Sequence, residues 1–171
     1  NFEELSYQAI NKMTDFLALH PHYPLFYGTL GRTYDNLAIQ TGDASFFEKA
    51  EESYFRVLQL SPKRQEFHYM YAMHLMAQNK LNDAVDVLRQ ALALDDKVGN
   101  SHFYLGATLL SLGEENYKEA LEHLEYALDH DSRAIPNASV IKDSYNKLLL
   151  YFYKQKDIRS FMVILKRLSQ I

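Results

Sequence analysis

The sequence predicts an all-α protein made of antiparallel helix pairs stacked in tandem, and three observations predict it. The 171 residues hold only six Gly and four Pro, too few turn-formers for a turn-rich β fold. Pro21, Pro24, Pro62 and Pro136 fall between apolar segments, at helix junctions where Pro is tolerated. No segment alternates apolar and polar long enough to demand a strand. Above all, an alanine recurs: Ala50, Ala84 and Ala120 stand 34 and 36 residues apart. Each is followed after four residues by a large side chain (Tyr54, Leu88, Leu124) and after seven by a smaller one (Val57, Ala91, Ala127). A repeat of that period marks a solenoid.

The elements follow in order. In residues 2–19, Ala9, Met13, Phe16, Leu17 and Leu19 match Ala50, Tyr54, Val57, Leu58 and Leu60. This segment therefore reads as the second helix of a pair whose first helix is missing. Phe2, Leu5, Ala9, Met13 and Phe16 make its expected packing stripe, with Tyr7, Ile10 and Leu17 off it. Helix pairs are then expected near 24–40 and 43–60, 65–78 and 81–94, 98–112 and 116–130, and 137–154 and 157–170.

The first helix of each pair carries a large–small–large pattern. Tyr27-x-x-Leu30-Gly31-x-x-Tyr34 recurs as His68-x-x-Tyr71-Ala72-x-x-Leu75 and as His102-x-x-Leu105-Gly106-x-x-Leu109. A Gly or Ala between large residues lets two backbones approach closely. Tyr34 to Ala50 is 16 residues against 9 from Leu75 to Ala84. The first pair should thus be about two turns longer, projecting past Thr41-Gly42-Asp43. The divisions are a half repeat (1–23), a repeat with extended helices (24–64), two ordinary repeats (65–98 and 99–134) and a degenerate terminal pair (135–171), all in a single domain. In that last pair Phe161 stands where the others have Ala, so a different crossing is expected.

Composition excludes several classes. Lys and Arg total 18 against 22 Asp and Glu, a net charge of -4, which does not suit a general nucleic-acid binder. With no Cys there is no disulfide framework and no thiolate chemistry. No run approaches the roughly 18 apolar residues of a membrane span. The N-terminus has no signal-peptide pattern and reads as that of an excised fragment.

The sequence holds no motif that carries a recognisable chemistry. Gly106 to Gly113 lacks the Lys-Ser/Thr of a phosphate loop, and there is no Gly-x-Ser-x-Gly elbow. His20 and His22 flank a turn, and His68 and His102 hold equivalent repeat positions, which repeat packing explains without a metal. Asn137-Ala138-Ser139 fits a glycosylation acceptor, a pattern frequent by chance. No catalytic residue, cofactor or metal is expected.

The recurring alanines and the large–small–large helices resemble the tetratricopeptide repeat over nearly the whole chain. The resemblance implies a right-handed superhelix whose concave groove is lined by the first helices, binding a protein, a peptide, a helix or a segment of the parent chain. Stepping at helical spacing gives Leu25, Gly28, Thr29, Arg32 and Asn36, then Glu66, Tyr69, Met70, Met73 and Met76. Next come Asn100, Phe103, Tyr104, Ala107 and Leu110, then Asn146, Lys147, Leu150 and Tyr153. The partner-binding candidates are Arg32, Tyr69, Met70, Met73, Met76, Phe103, Tyr104, Leu110 and Tyr153. Met surfaces adapt to varied partners; the alternative is that these side chains pack between helices.

Some members of the family clamp acidic C-terminal peptides with Lys, Asn and Arg. The corresponding positions here are Gly28, Arg32, Met70, Asn100 and Tyr104, which lack that set. Residues 142–171 hold seven Lys or Arg against two acids. A basic end on an acidic body could steer an anionic partner or permit head-to-tail contact, and self-association through apolar terminal helices is expected.

A weaker resemblance rests on the long first repeat, Leu60-Ser61-Pro62-Lys63-Arg64-Gln65, Ser101-His102-Phe103-Tyr104-Leu105-Gly106 and Tyr145-x-x-Leu148-x-x-x-Phe152. These are similar to C-terminal repeats of bacterial O-antigen ligase or polymerase membrane proteins, whose chemistry would lie in absent transmembrane helices. The alternative is a free-standing bacterial assembly adaptor serving secretion or pili.

Overall fold

The computed structural model describes residues 2–130 and 138–169. Pro136, Asn137 of the candidate glycosylation acceptor, and Ile171 lie outside them. Within the described residues the chain forms nine α-helices and no strand. They are α1 (Phe2–Leu19), α2 (Pro24–Thr41), α3 (Ser45–Leu60), α4 (Gln65–Ala77), α5 (Leu81–Leu94), α6 (Gly99–Leu112), α7 (Tyr117–His130), α8 (Ala138–Lys154) and α9 (Ile158–Leu168), with a 3-10 turn at Glu114–Asn116. None is long and apolar enough to cross a membrane.

The chain packs as two compact units, Asn1–Asp95 and Asp96–Ile171. In the first unit α2 lies against α3 and α4 against α5. Ala50, Ala72 and Ala84 are wholly buried, and a Cβ on Gly31 would stand 2.9 Å from the ring of Tyr54. The small residues therefore sit where the helices touch. The long first pair is present: α2 has 18 residues and α3 16, against 13 and 14 in α4 and α5. Gly42 ends α2 in the left-handed region at φ 73°, which glycine adopts without strain.

The α1 stripe differs from expectation. Ser6, Ile10, Met13 and Leu17 are buried, whereas Phe2, Leu5 and Ala9 are exposed. Ala9 aligns with alanines that face the first helix of their own pair. Here α1 instead turns Ile10, Met13 and Leu17 onto the core shared with Leu30, Leu37 and Phe46.

In the second unit α6 packs against α7 and α8 against α9. A Cβ on Gly106 would stand 2.8 Å from Cγ of Leu124 and 3.0 Å from the carbonyl of Ala120, so this crossing too requires a small residue. The α8–α9 pair makes fewer close backbone approaches than the other pairs. Phe161, where alanine stands elsewhere, is half-buried, and its ring lies 5.9 Å from that of Tyr153. Tyr145, Leu148, Phe152 and Ile164 are nevertheless fully enclosed.

The repeat-equivalent histidines do the same work. His68 Nε2 donates to the carbonyl of Pro62 at 2.7 Å, and His102 Nε2 to that of Asp96 at 2.8 Å. Each ties its helix to the turn before it. Gln65 ties α4 to the far end of α5: its Nε2 donates to the carbonyls of Ala91 at 2.5 Å and Asp95 at 2.7 Å, satisfying the C-terminus of α5.

Candidate functional site

Two first helices, α2 and α4, enclose a recess in the first unit. Arg32, Asp35, Asn36, Ile39, Tyr54, Met70, Met73 and Ala77 line about 150 Å³, close to the volume of one side chain. The sequence brings these residues together by period. Arg32, Asn36 and Ile39 recur at four and three residues on α2, and Met70, Met73 and Ala77 at three and four on α4, so each set forms one helical face. Gly28 keeps the helices close: a Cβ there would meet the methyl of Met70 at 3.3 Å.

The floor is polar and locked. Tyr54 Oη donates to Asp35 Oδ2 at 2.9 Å, and His74 Nδ1 donates to Asp35 Oδ1 at 2.6 Å. Gln78 Nε2 donates to His74 Nε2 at 2.6 Å. Both carboxylate oxygens and both imidazole nitrogens are thus engaged. His74 is wholly buried, and the ring of Tyr71 stacks on it at 5.8 Å. Burial, with the Asp35 charge beside it, pushes the Tyr54 phenol well above its usual range. Burial first, then Glu51, pushes Tyr71 up to about 12. The network holds α2, α3 and α4 in register.

The predicted candidates divide. Arg32, Met70 and Met73 meet in the recess, with Arg32 exposed and Met73 40% exposed. Tyr69 and Met76 are half-buried on α4 and are not part of its lining. In the second unit Tyr104 is half-buried, and Tyr153 is exposed at 68%. Phe103 and Leu110, expected on the groove, are buried at 3% and 4% exposure. The reason is that α6 is apolar on nearly every side, and such a helix is enclosed rather than amphipathic. Lys147, stepped as groove-facing, donates to the carbonyl of Leu110 at 2.7 Å and sits over the ring of Tyr117.

Helical stepping missed Asp35, Tyr54, His74, Ile39 and Ala77. One signal was present: Tyr54 occupies a position filled by Leu88 and Leu124 in the next repeats, and a buried phenol needs a polar partner. A larger hollow of about 760 Å³ opens in the same unit between α1 and α3, floored by Tyr27, Leu30 and Tyr34. Its walls mix Glu48, Glu51 and Glu52 with Lys49 and Arg56. Lys49 lies over the rings of Phe46 and Tyr34, at 5.2 Å and 5.9 Å. Among the described residues no group of three or more His, Asp or Glu is arranged to hold a metal.

Residues 44–103 match the tetratricopeptide repeat family. Within that stretch the chain carries a tetratricopeptide repeat. Solved structures agree on the fold. A tetratricopeptide-repeat protein of Thermus thermophilus, TTC0263, superposes with a TM-score of 0.72 at 23% identity, covering 85% of this chain and 74% of that one. Two MamA structures give a TM-score of 0.68, one at 18% identity covering 94% of this chain and 87% of that chain, the other at 20% covering 96% and 83%. No curated protein matches the chain.

Proposed function

We propose that the protein is a non-catalytic protein-interaction module that takes an extended peptide or a helix along α2 and α4, anchored in the recess between them. The observation that carries this reading is the recess itself. A pocket with the volume of one side chain, walled by Met70, Met73, Ile39 and Ala77, accepts an aliphatic or aromatic anchor. At its mouth Arg32 and Asn36 offer a cation and an amide to a backbone carbonyl or carboxylate. The Asp35–His74–Tyr54 floor is already satisfied, so it supplies rigidity instead of recognition, and a preformed pocket lowers the entropic cost of binding. The thioethers adapt to differing anchors.

A selection from a random peptide library displayed against the 171-residue chain tests this. Enriched peptides should share one large apolar residue. Their binding should fall at least tenfold in Met73→Glu and weaken in Arg32→Ala, with both variants melting like the parent chain. Peptides whose affinity is untouched by both changes would refute the recess as the anchor site. The parent polypeptide is a bacterial membrane ligase-like protein on the sequence resemblance, or else a free-standing assembly adaptor. A hydrophobic span encoded just upstream of Asn1 would favour the first.

A further inference from the structure

Two exposed helix faces at opposite ends of the sequence carry apolar stripes flanked by charges of opposite sign. On α1, Phe2 (47% exposed), Leu5 (64%) and Leu19 (79%) lie with exposed Ala9 along one helical stripe, interrupted by Lys12. Ala9 stands in the register of Ala50, Ala84 and Ala120, each wholly buried against a partner helix. This face therefore has the form of a helix-docking surface. Glu4 and Asp15, both exposed, lie about three turns apart on one flank of the stripe.

The second face belongs to the α8–α9 hairpin. Ile158 (75% exposed), Met162 (57%) and Leu165 (39%) recur at four and three residues along α9. Beside them a cleft of about 430 Å³ is lined by Phe152, Tyr153, Lys156, Ile158, Phe161 and Met162, large enough for a leucine or phenylalanine side chain. Its flank is basic: Arg159 and Lys166, both exposed, lie about two turns apart, and Lys154 and Lys156 are exposed at the hairpin end. Arg167 is already committed to Glu125 and Asp129. The helix turn is fixed by Asp157, which accepts from the Ser160 amide at 3.1 Å, so the cleft is preformed.

We infer that the α1 face of one copy docks into the α8–α9 cleft of a second copy, with Leu5 and Phe2 as apolar anchors and Glu4 and Asp15 facing Arg159 and Lys166. The contact is heterologous, because the two surfaces differ. In such a pair one copy keeps its cleft free and the other its α1 face, so association continues beyond the first pair.

Light scattering with size-exclusion chromatography over a concentration series up to the millimolar range reads the outcome. The unaltered chain should rise from the monomer mass to at least twice that value. Leu5→Glu and Met162→Glu change exposed positions and should keep the parent's helical content and melting temperature, yet each alone should stay monomeric. An equimolar mixture of the two should form a 1:1 dimer, since one brings an intact cleft and the other an intact α1 face. A chain monomeric at every concentration would overturn the inference. So would either variant dimerising alone, which would indicate a like-with-like contact, or a mixture that stays monomeric.

Discussion

Asp35 is only 7% exposed and accepts from two groups, Tyr54 Oη and His74 Nδ1. Removing it strands both donors in the interior, at about 1–3 kcal/mol for each unsatisfied group. Asp35→Ala should therefore lower the urea midpoint markedly, while Asp35→Asn, which keeps an acceptor, should lower it less. Equal losses would show that the network is not the source of the stability. A second residue-scale effect is alkaline. Tyr71 is raised from 10 to about 12 by burial and by Glu51, and Tyr54 and Tyr145 are raised by burial and by Asp35 and Glu125. A phenol that ionises more readily unfolded than folded stabilises the fold fully below the unfolded value near 10, and that contribution falls as pH rises toward the folded value. Urea midpoints should drop between pH 10 and 12, and Tyr71→Phe should flatten part of the slope. An unchanged slope in that variant would remove Tyr71 from the account.

At the scale of the element, the repeat register was legible because it depends on two local signals, period and side-chain size. Gly31, Ala72 and Gly106 marked the helix crossings, and the structure places atoms too near each glycine for a Cβ to fit freely. Gly106→Ala should therefore destabilise the α6–α7 pair even though alanine is the better helix former by about 1 kcal/mol. Thermal melting measures the sign, and a stabilised variant would contradict the crossing. Ala84→Leu should likewise overpack the α4–α5 contact and cost about 1–3 kcal/mol, read from the urea midpoint. What was not legible is which face of a uniformly apolar helix points outward. Phe103 and Leu110 obey groove spacing but belong to a helix enclosed on most sides. On α1 the choice between the Ala9 stripe and the Ile10 stripe depends on which neighbour is present, a fact outside local sequence. The recess was half legible. Arg32, Met70 and Met73 follow from helical stepping, but Asp35 and His74 meet across 39 residues, and no periodicity announces that pair.

At the scale of the whole molecule, two hollows in the first unit offer rival sites. The larger one, between α1 and α3, has walls of mixed charge whose lysine already covers two aromatic rings. The smaller one is built on first helices and floored by a closed polar network. Volume favours the former, and preorganisation with an apolar lining favours the latter. The deciding measurement is photo-crosslinking from the apolar anchor position of a library-selected peptide, with the linked residues identified by mass spectrometry. Crosslinks to Asn36, Ile39, Met70 or Met73 are the predicted result. Crosslinks confined to Glu48, Glu52, Phe55 or Arg56 would place the partner in the other hollow and contradict the account.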